Sequence, residues 1–152
     1  MNKKPLTLAL KKLSIRAYSQ KELESYLLKY DFSREQIKEV IAQLLSWGYL
    51  DDQKYAVYLL NHYTNHKQYG YFFIYQKLQE KGIPEQIITA LLIDYDEQKE
   101  LARARNLAEK FIANKGNQKS AEQIKNMLAR YLSRKGFSTA NIMTIINENF
   151  TY

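Results

Sequence analysis

Residues 78–92 read LQEKGIPEQIITALL, a helical pattern interrupted by a glycine, an apolar residue and a proline. The pattern occurs three times, as LLKYDFSREQIKEVI (27–41), LQEKGIPEQIITALL (78–92) and LSRKGFSTANIMTII (132–146). The turn position holds Asp31, Gly82 and Gly136. Glycine suits this position because the residue that ends a helix often adopts a left-handed conformation, which costs least without a Cβ. We therefore predict a helix–turn–helix that recurs about every 50 residues.

Helical spacing continues between the three copies. Apolar side chains fall on one helical face at Ile37, Val40, Ile41, Leu44 and Leu45. Ser19, Ser33 and Ser120 are each followed three residues later by Glu or Gln, the pattern of a capping box at a helix start. We predict nine helices, at roughly 6–17, 19–30, 33–47, 51–66, 70–81, 84–94, 96–114, 119–135 and 138–149.

The predicted fold is all-α and consists of three tandem three-helix repeats, at 1–50, 51–95 and 96–152, in one continuous structural body. Units of this size bury little surface alone, so neighbouring repeats should stack into an elongated, curved array. A compact globule of nine helices is the alternative that the sequence leaves open.

The charge of the chain favours an anionic partner. Lys and Arg number 23 against 16 Asp and Glu, which gives a net charge of +7. The first and third predicted repeats carry +4 each and the second carries −1. Such an excess favours a nucleic acid or an acidic protein surface as partner, whereas solubility alone is the alternative.

Composition also limits the class of protein. The chain has no cysteine, so disulfides and thiolate metal sites are excluded. It has no apolar run of about 18 residues, so a membrane span is not expected. We expect a soluble, cytoplasmic monomer with no cofactor, no metal and no small-molecule substrate.

Two acidic residues and two histidines are the first candidate sites. Asp51 and Asp52 follow WGYL (47–50), where one helix should end and the next begin, and an aspartate there caps a helix. A catalytic pair would need further acids, bases or metal ligands, and none clusters with these two. His62 and His66 share a helical face as zinc ligands do, but no third ligand is indicated, so exposed histidines are the favoured interpretation.

Tyrosines crowd the middle of the chain. Seven of the 13 lie between residues 49 and 75, with Phe72 and Phe73 among them. Tyrosine packs in cores, at protein interfaces and against bases. Because no arginine lies in this stretch, core packing is the favoured interpretation, a protein interface the second and base stacking the last.

The basic residues of the third repeat are the best functional candidates. They are Arg103, Arg105, Lys125, Arg130, Arg134 and Lys135. The last four fall on one predicted helix, where positions 125, 130 and 134 form a rough stripe. A solvated helix face is the equal alternative. The sequence contains no phosphate-binding glycine loop, Ser/His/Asp arrangement or nucleophile motif, so nothing in it supports an enzyme.

Four pieces of the chain carry a family resemblance. They are RAYSQKEL (16–23), GYLDDQKYA (48–56), YGYFFIYQKLQEKGI (69–83) and ARYLSRKGFS (129–138). In their order and spacing, and with the three-fold repeat, they resemble the RecX family of bacterial regulatory proteins, which modulate the RecA recombinase. The resemblance covers nearly the whole chain and implies tandem three-helix repeats in an elongated, curved body.

The same resemblance implies a function. Proteins of this family bind the RecA filament on DNA, in or along its helical groove. They inhibit ATP hydrolysis and strand exchange, and they block filament growth or promote disassembly, in homologous recombination, DNA repair and the SOS response. They have no catalytic activity of their own.

The resemblance also assigns residues. The positions that match the family motifs and are expected to be structural are Gly48, Asp51, Asp52, Tyr55, Gly70, Gly82, Gly136 and Phe137. The charge layout and the resemblance together give the expected contacts with the RecA filament or its DNA, which are Arg16, Arg34, Arg103, Arg105, Lys125, Arg130, Arg134 and Lys135. Relatives usually carry arginines after the Asp–Asp pair, but this chain has YLLNHYTNHKQ (58–68), so the second repeat is not expected to supply positive surface.

Two other functions stay open. The chain could be a basic helical DNA-binding protein, whose affinity would fall steeply with salt and persist without RecA. Weak direct DNA binding is compatible with both this function and RecA regulation. The chain could also be a helical adaptor for another protein.

Overall fold

The computed structural model describes residues 4–116 and 119–150, and these residues form α-helices joined by short turns. The helices are α1 (Pro5–Leu13), α2 (Gln20–Leu27), α3 (Arg34–Ser46), α4 (Asp52–Asn61), α5 (Tyr71–Glu80), α6 (Glu85–Leu92), α7 (Glu97–Lys115), α8 (Ala121–Arg134) and α9 (Thr139–Phe150). No strand occurs among the described residues, so the all-α prediction is confirmed. Within these same ranges, no helix has both the length and the apolar composition that crossing a membrane requires.

Local hydrogen bonds start three helices as the sequence predicts. Ser19 Oγ accepts from Glu22 N at 3.0 Å, and Glu22 Oε1 accepts from Ser19 N at 3.0 Å. The same reciprocal bonds start α3 and α8, at Ser33 with Gln36 and at Ser120 with Gln123. Because a helix start leaves N–H groups without intrahelical acceptors, each capping serine stabilises its helix by about 1 kcal/mol.

Glycines with positive φ follow α3, α5 and α8. Gly48, Gly82 and Gly136 have φ of 78°, 81° and 94°. Asp31 is different, because its φ is not positive and α2 already ends at Leu27. Turns close the end of α2 instead, for example from Tyr30 N to Leu27 O at 3.1 Å. The predicted equivalence of Asp31 with the two turn glycines is therefore wrong for the backbone.

Two helix ends differ from the prediction. α1 ends at Leu13 rather than near residue 17. The predicted helix over 51–66 is α-helical to Asn61 and then π-helical over His62–His66. Lys67 N donates to His62 O at 3.1 Å, the five-residue bond that defines a π turn.

Contacts within the chain divide it into two compact units. Unit 1 consists of Met1–Leu59 and Leu78–Ile93, and unit 2 consists of Leu60–Lys77 and Asp94–Tyr152. The predicted second repeat, 51–95, therefore contributes residues to both units. The predicted repeat boundaries after residues 50 and 95 stay predictions.

Each unit has its own apolar core. In unit 1, buried side chains of α1, α2 and α3 pack with Leu50 in one cluster: Leu8, Ala9, Leu23, Leu27, Ile37, Val40, Ile41, Leu44 and Leu50. In unit 2, helices α7, α8 and α9 supply most of a second cluster: Ala104, Leu107, Ala108, Leu128, Leu132, Phe137, Ile142, Ile145 and Ile146. Burying one Leu or Ile side chain contributes about 1.5–3 kcal/mol, so each of these clusters is a large source of stability for its unit.

In unit 1 a turn packs against a helix start, and we call this contact the first joint. The turn at Lys81–Gly82 meets the first residues of α2. Ser19 Oγ donates to Lys81 O at 2.5 Å. A Cβ added to Gly82 would lie 2.8 Å from the Cβ of Lys21, so the turn approaches this closely only because residue 82 is glycine.

Unit 2 contains a contact of the same construction, the second joint, in which the turn at Lys135–Gly136 meets the start of α5. Gly70 N donates to Lys135 O at 2.9 Å, and Phe72 N donates to Gly136 O at 3.1 Å. A Cβ on Gly70 would lie 2.6 Å from the Gly136 carbonyl, and one on Gly136 would overlap Phe73. The second joint therefore needs glycine on both sides.

A carboxylate from another helix completes each joint. Asp52 Oδ1 accepts from Gln20 N in the first turn of α2, at 2.9 Å. Glu100 Oε1 accepts from Tyr71 N in the first turn of α5, at 2.6 Å. These N–H groups lack intrahelical acceptors, and a negative charge complements the helix dipole there. The starts of α2 and α5 are thus capped by residues distant in sequence.

Candidate partner-binding surfaces

The Asp51–Asp52 pair lies at two different helix starts. Asp51 Oδ1 accepts from Lys54 N at 3.1 Å and caps α4, whereas Asp52 caps α2. Burial raises the pKa of the Asp52 carboxyl, the Gln20 N–H opposes that shift, and the Asp51 charge adds to it. No group of three or more His, Cys, Asp or Glu side chains within residues 4–116 and 119–150 is placed to hold a metal ion. The contacts of the pair are those of helix caps.

The two histidines lie in the π segment. The rings of His62 and His66 stack with centroids 5.4 Å apart, and His66 is exposed while His62 is half-buried. Since the described part of the chain offers no three-residue ligand group, these two rings have no third ligand there. Their geometry is that of stacked side chains on one helical face.

The tyrosines between residues 49 and 75 divide between interior and surface. Five of them are buried or half-buried: Tyr55, Tyr63, Tyr69, Tyr71 and Tyr75. Tyr49 and Tyr58, by contrast, are 60% and 61% exposed. In unit 2, Tyr69 packs on Phe73 with ring centroids 4.3 Å apart. Most of this aromatic stretch therefore packs inside the two units.

Arg16, between α1 and α2, is held within unit 1. Its Nη1 donates to Ala17 O at 2.7 Å and to the Tyr55 hydroxyl at 3.0 Å. Its Nη2 donates to Glu22 Oε2 at 3.2 Å, and its guanidinium carbon lies 3.6 Å from the Tyr18 ring centroid. The Arg16 side chain is still 43% exposed, so part of it remains open to a partner.

Glu100 and Arg103 form a polar network inside unit 2. Glu100 is 3% exposed and, besides capping α5, accepts from the Tyr95 hydroxyl at 2.7 Å and from Asn141 Nδ2 at 2.5 Å. Arg103 Nη2 donates to the Tyr95 hydroxyl oxygen at 2.6 Å and to Tyr69 O at 3.2 Å. Burial, together with the Glu100 carboxylate, raises the pKa of Tyr95, so its phenol stays protonated and links the two charged groups.

Arg105 is paired within its own unit. Its Nε donates to Glu148 Oε2 at 3.0 Å, and its Nη2 donates to Glu148 Oε1 at 2.8 Å. The Arg105 guanidinium lowers the pKa of the Glu148 carboxyl by hydrogen bonding and by charge. The positive charge of this predicted contact residue is therefore balanced by a neighbour.

Helix α8 presents two open arginines. Arg130 and Arg134 are exposed and one helical turn apart, and neither forms a hydrogen bond or ion pair with any residue that the structure describes. Leu128 and Leu132 on the same helix are fully buried in the unit 2 core. Lys125, the third member of the predicted stripe, is half-buried.

The remaining predicted contacts differ in their surroundings. Lys135 Nζ donates to Lys67 O at 3.3 Å and lies 5.0 Å from the Tyr69 ring centroid. Arg34 is exposed at the start of α3 in unit 1, and its side chain has no partner within the described ranges. Lys135 is therefore engaged within unit 2, whereas the Arg34 side chain is available to a partner.

A basic groove that no sequence motif predicts lies in unit 1, with a cavity of about 440 Å³. Its charged and aromatic lining consists of Lys12, Arg16, Lys21, Lys29, Lys81, Glu22, Glu80, Tyr18 and Tyr26. Lys81 is distant in sequence from the other cations, so the cluster exists only in the folded unit. A local sequence window contains no signal for it except Arg16, which the family resemblance had singled out.

Two family models match the chain. The model of the first three-helix domain of RecX matches residues 6–44, and that of the second three-helix domain matches residues 51–92. The chain belongs to the RecX family. The two matched domains lie in tandem, as the internal repeats predict.

Curated RecX proteins are similar along most of this chain. Regulatory protein RecX of Pelodictyon phaeoclathratiforme is 34% identical over 141 residues, which cover 93% of this chain and 86% of the relative. Regulatory protein RecX of Bacillus cytotoxicus is 36% identical over 92% of this chain. This chain spans 52% of that Bacillus relative, about half its length.

Solved RecX structures have the same fold. The crystal structure of RecX from Lactobacillus salivarius matches with a TM-score of 0.81 and 32% identity, over 95% of this chain and 94% of that one. A second crystal structure of a regulatory protein RecX matches with a TM-score of 0.82, over 93% of this chain and 71% of that one. Its identity is 23%, so it supports the fold alone.

Proposed function

We propose that this RecX chain regulates the RecA recombinase by binding RecA filaments on DNA. Binding would lower ATP hydrolysis, filament growth and strand exchange, and so control recombination and repair without any catalysis by the chain itself. Membership of a family whose similar members are called regulatory proteins supports this proposal. The observation that carries it is the pair of exposed arginines, Arg130 and Arg134, without partners in the described ranges.

The arginine pair suits an anionic protein or nucleic-acid surface. A guanidinium binds carboxylate or phosphate oxygens through two parallel hydrogen bonds. Because Leu128 and Leu132 anchor α8 in the core, Arg130 and Arg134 project from a fixed helix. A fixed helix loses less conformational entropy on binding than a loop does, so more of the contact energy appears as affinity.

The other predicted contacts rank below this pair. Arg34 is open and adds positive charge in unit 1. Arg103 and Arg105 could contact RecA only by exchanging bonds that they make inside unit 2. We therefore propose that these two arginines serve their own unit, and that Arg130 and Arg134 make the main contact.

The test is a titration of this chain into the DNA-dependent ATPase reaction of RecA. Because interface arginines often each cost more than about 1 kcal/mol when truncated, R130A/R134A should raise the half-inhibitory concentration by about tenfold or more. The matched control is K99A/K110A, which removes two exposed charges of α7 in the same unit. Absence of inhibition by the wild type at stoichiometric amounts contradicts the proposed regulation, and equal inhibition by both double variants contradicts the proposed surface.

Weak direct DNA binding is a second candidate activity, favoured by the basic groove of unit 1. Such binding would occur without RecA and would weaken steeply with salt, because it depends on neutralised phosphates. We propose that it accompanies RecA binding, in a chain that acts in the cytoplasm as a monomer.

A further inference from the structure

We propose that the groove in unit 1 binds the sugar–phosphate backbone of a single-stranded nucleic acid. The inference rests on the direct DNA contact proposed above and gives that contact a location. The groove is lined by the end of α1, by the loop that follows it, by α2 and the residues just after it, and by residues 79–82. Its cavity of about 440 Å³ lies within the usual range of ligand sites, about 300–1,000 Å³.

The positive charge of the groove is largely uncompensated. Five cations face two carboxylates, and one of these carboxylates, Glu22, is already paired with Arg16 at 3.2 Å. No ion pair with any described residue is made by the four lysines of the lining, Lys12, Lys21, Lys29 and Lys81. Because a concave surface with an excess of positive charge focuses the electrostatic field, the groove concentrates anionic groups.

Two tyrosine rings distinguish the groove from an ordinary basic surface. Arg16 stacks over Tyr18 at 3.6 Å from the ring centroid, and Lys12 Nζ lies 4.5 Å from the centroid of Tyr26. Bases stack on aromatic rings and on guanidinium planes, while lysines neutralise the phosphates between them. The lining therefore offers both kinds of contact that an unpaired strand can use, whereas a duplex, whose bases are stacked on one another, could use only the cations.

An acidic protein segment is the other polyanion that the lysines could attract. Its carboxylates would use the ammonium groups of Lys29 and Lys81 but would leave the two rings unused. An extended peptide would also need partners for its backbone N–H and C=O groups, whereas a nucleic-acid backbone carries charge on every repeat. The rings next to the cations therefore favour the nucleic acid.

The experiment measures fluorescence anisotropy of a labelled single strand of about 12 nucleotides, with the full chain and without RecA. The groove variant is K29Q/K81Q, and the matched control is K38Q/K54Q, which neutralises two exposed lysines outside the groove lining in the same unit. The groove variant should bind about tenfold more weakly at low salt, whereas the control should bind like the wild type. Its slope of log affinity against log salt should be shallower by about 1.4.

Each outcome decides between distinct conclusions. Equal binding by the two double variants overturns the groove but leaves direct DNA contact standing. Absence of binding by the wild type overturns both, while RecA inhibition is measured separately and is unaffected. If poly-L-glutamate displaces the strand as well as an unlabelled strand of equal charge does, an acidic segment is the better ligand and the inference fails. Weaker competition by an abasic strand than by an intact one supports stacking on the rings.

Discussion

In both joints a glycine-containing turn packs against the start of a helix, but different chemical groups form the hydrogen bonds. In the first joint, a serine hydroxyl binds the turn and the half-buried Asp52 caps α2. In the second joint, two backbone N–H groups bind the turn and the buried Glu100 caps α5. The first joint uses side chains where the second uses glycine backbone and a network of buried polar groups.

The basic residues next to the two joints also differ in how they are bonded. Next to the second joint, Arg103 is enclosed in hydrogen bonds with Tyr95 and Tyr69. Next to the first joint, Lys21 and Lys81 line an open groove. Beside the second joint, the cation is used by hydrogen bonds within the unit and is not available to a partner. Beside the first joint, the lysines remain available to bind an anionic partner.

The largest expected effect is that of Gly136→Ala in the second joint. An alanine at this position would have to adopt φ near 94°, which is unfavourable for any residue with a Cβ, and its Cβ would overlap Phe73. We therefore expect a loss of about 2–5 kcal/mol in the free energy of unfolding. Gly48→Ala is the control, because its φ is 78° but no atom lies within 4 Å of the added Cβ, so it should lose about 1–2 kcal/mol. Urea unfolding measures both variants. Equal losses would show that the close approach at Gly136 adds nothing.

The next effect compares the two capping carboxylates. Glu100→Ala leaves three donors inside unit 2, Tyr71 N, the Tyr95 hydroxyl and Asn141 Nδ2, without their acceptor, so we expect a loss of about 2–4 kcal/mol. Asp52→Ala removes one accepted hydrogen bond from a half-buried site and should lose about 1 kcal/mol. Urea denaturation midpoints rank the two variants, and the opposite order would mean that the second joint is not the stronger of the two.

The smallest effect concerns pH. Burial raises the folded pKa of Asp52 above its unfolded value of 3.8. The stability linked to this carboxyl is therefore fully present below the unfolded pKa and is lost as pH rises through the folded pKa. Asp52→Asn stays uncharged, so the stability of this variant should decrease less than that of the wild type as pH rises above the unfolded pKa of 3.8. Urea unfolding across this range measures the difference.

Glu148 supplies the control of opposite sign. Arg105 lowers its folded pKa, so the stability linked to Glu148 is present above its unfolded pKa of 4.5 and is lost as pH falls through the folded pKa. Glu148→Gln should therefore reduce the loss of stability on acidification. An Asp52→Asn profile that superimposes on the wild-type profile would contradict the effect of burial at the first joint.

Most of the fold could be predicted because its signals are local. Capping boxes place their two partners within four residues, as at Ser33 and Gln36, and a turn glycine marks the end of a helix. Asp31 could not be predicted in the same way. Asp31 aligns with Gly82 and Gly136 in the sequence, but α2 ends four residues before Asp31. Turn hydrogen bonds such as Tyr30 N to Leu27 O end the helix there.

Much less of the candidate site could be predicted, because its contacts join distant residues. The sequence predicts that an aspartate of the 51–52 pair starts the next helix, and Asp51 does so. No local signal predicts that Asp52 caps α2, because its partner Gln20 lies 32 residues earlier. Glu100 looked like an ordinary acidic residue in the first turn of α7, and only folding shows that it caps α5. The groove lysines have no sequence motif because Lys81 joins the others through the first joint.

The path of the chain through the two units has a consequence for synthesis on the ribosome. The chain leaves unit 1 after Leu59 and returns to it at Leu78, so unit 1 is incomplete until Ile93 has been made. Nascent domains usually complete their folding in order from the N-terminus. Residues 60–77 are therefore synthesised before unit 1 can close, yet they obtain the rest of unit 2 only when residue 94 and those after it emerge. Residues 60–77 are thus synthesised before the last part of unit 1, yet they can pack only after unit 1 is complete.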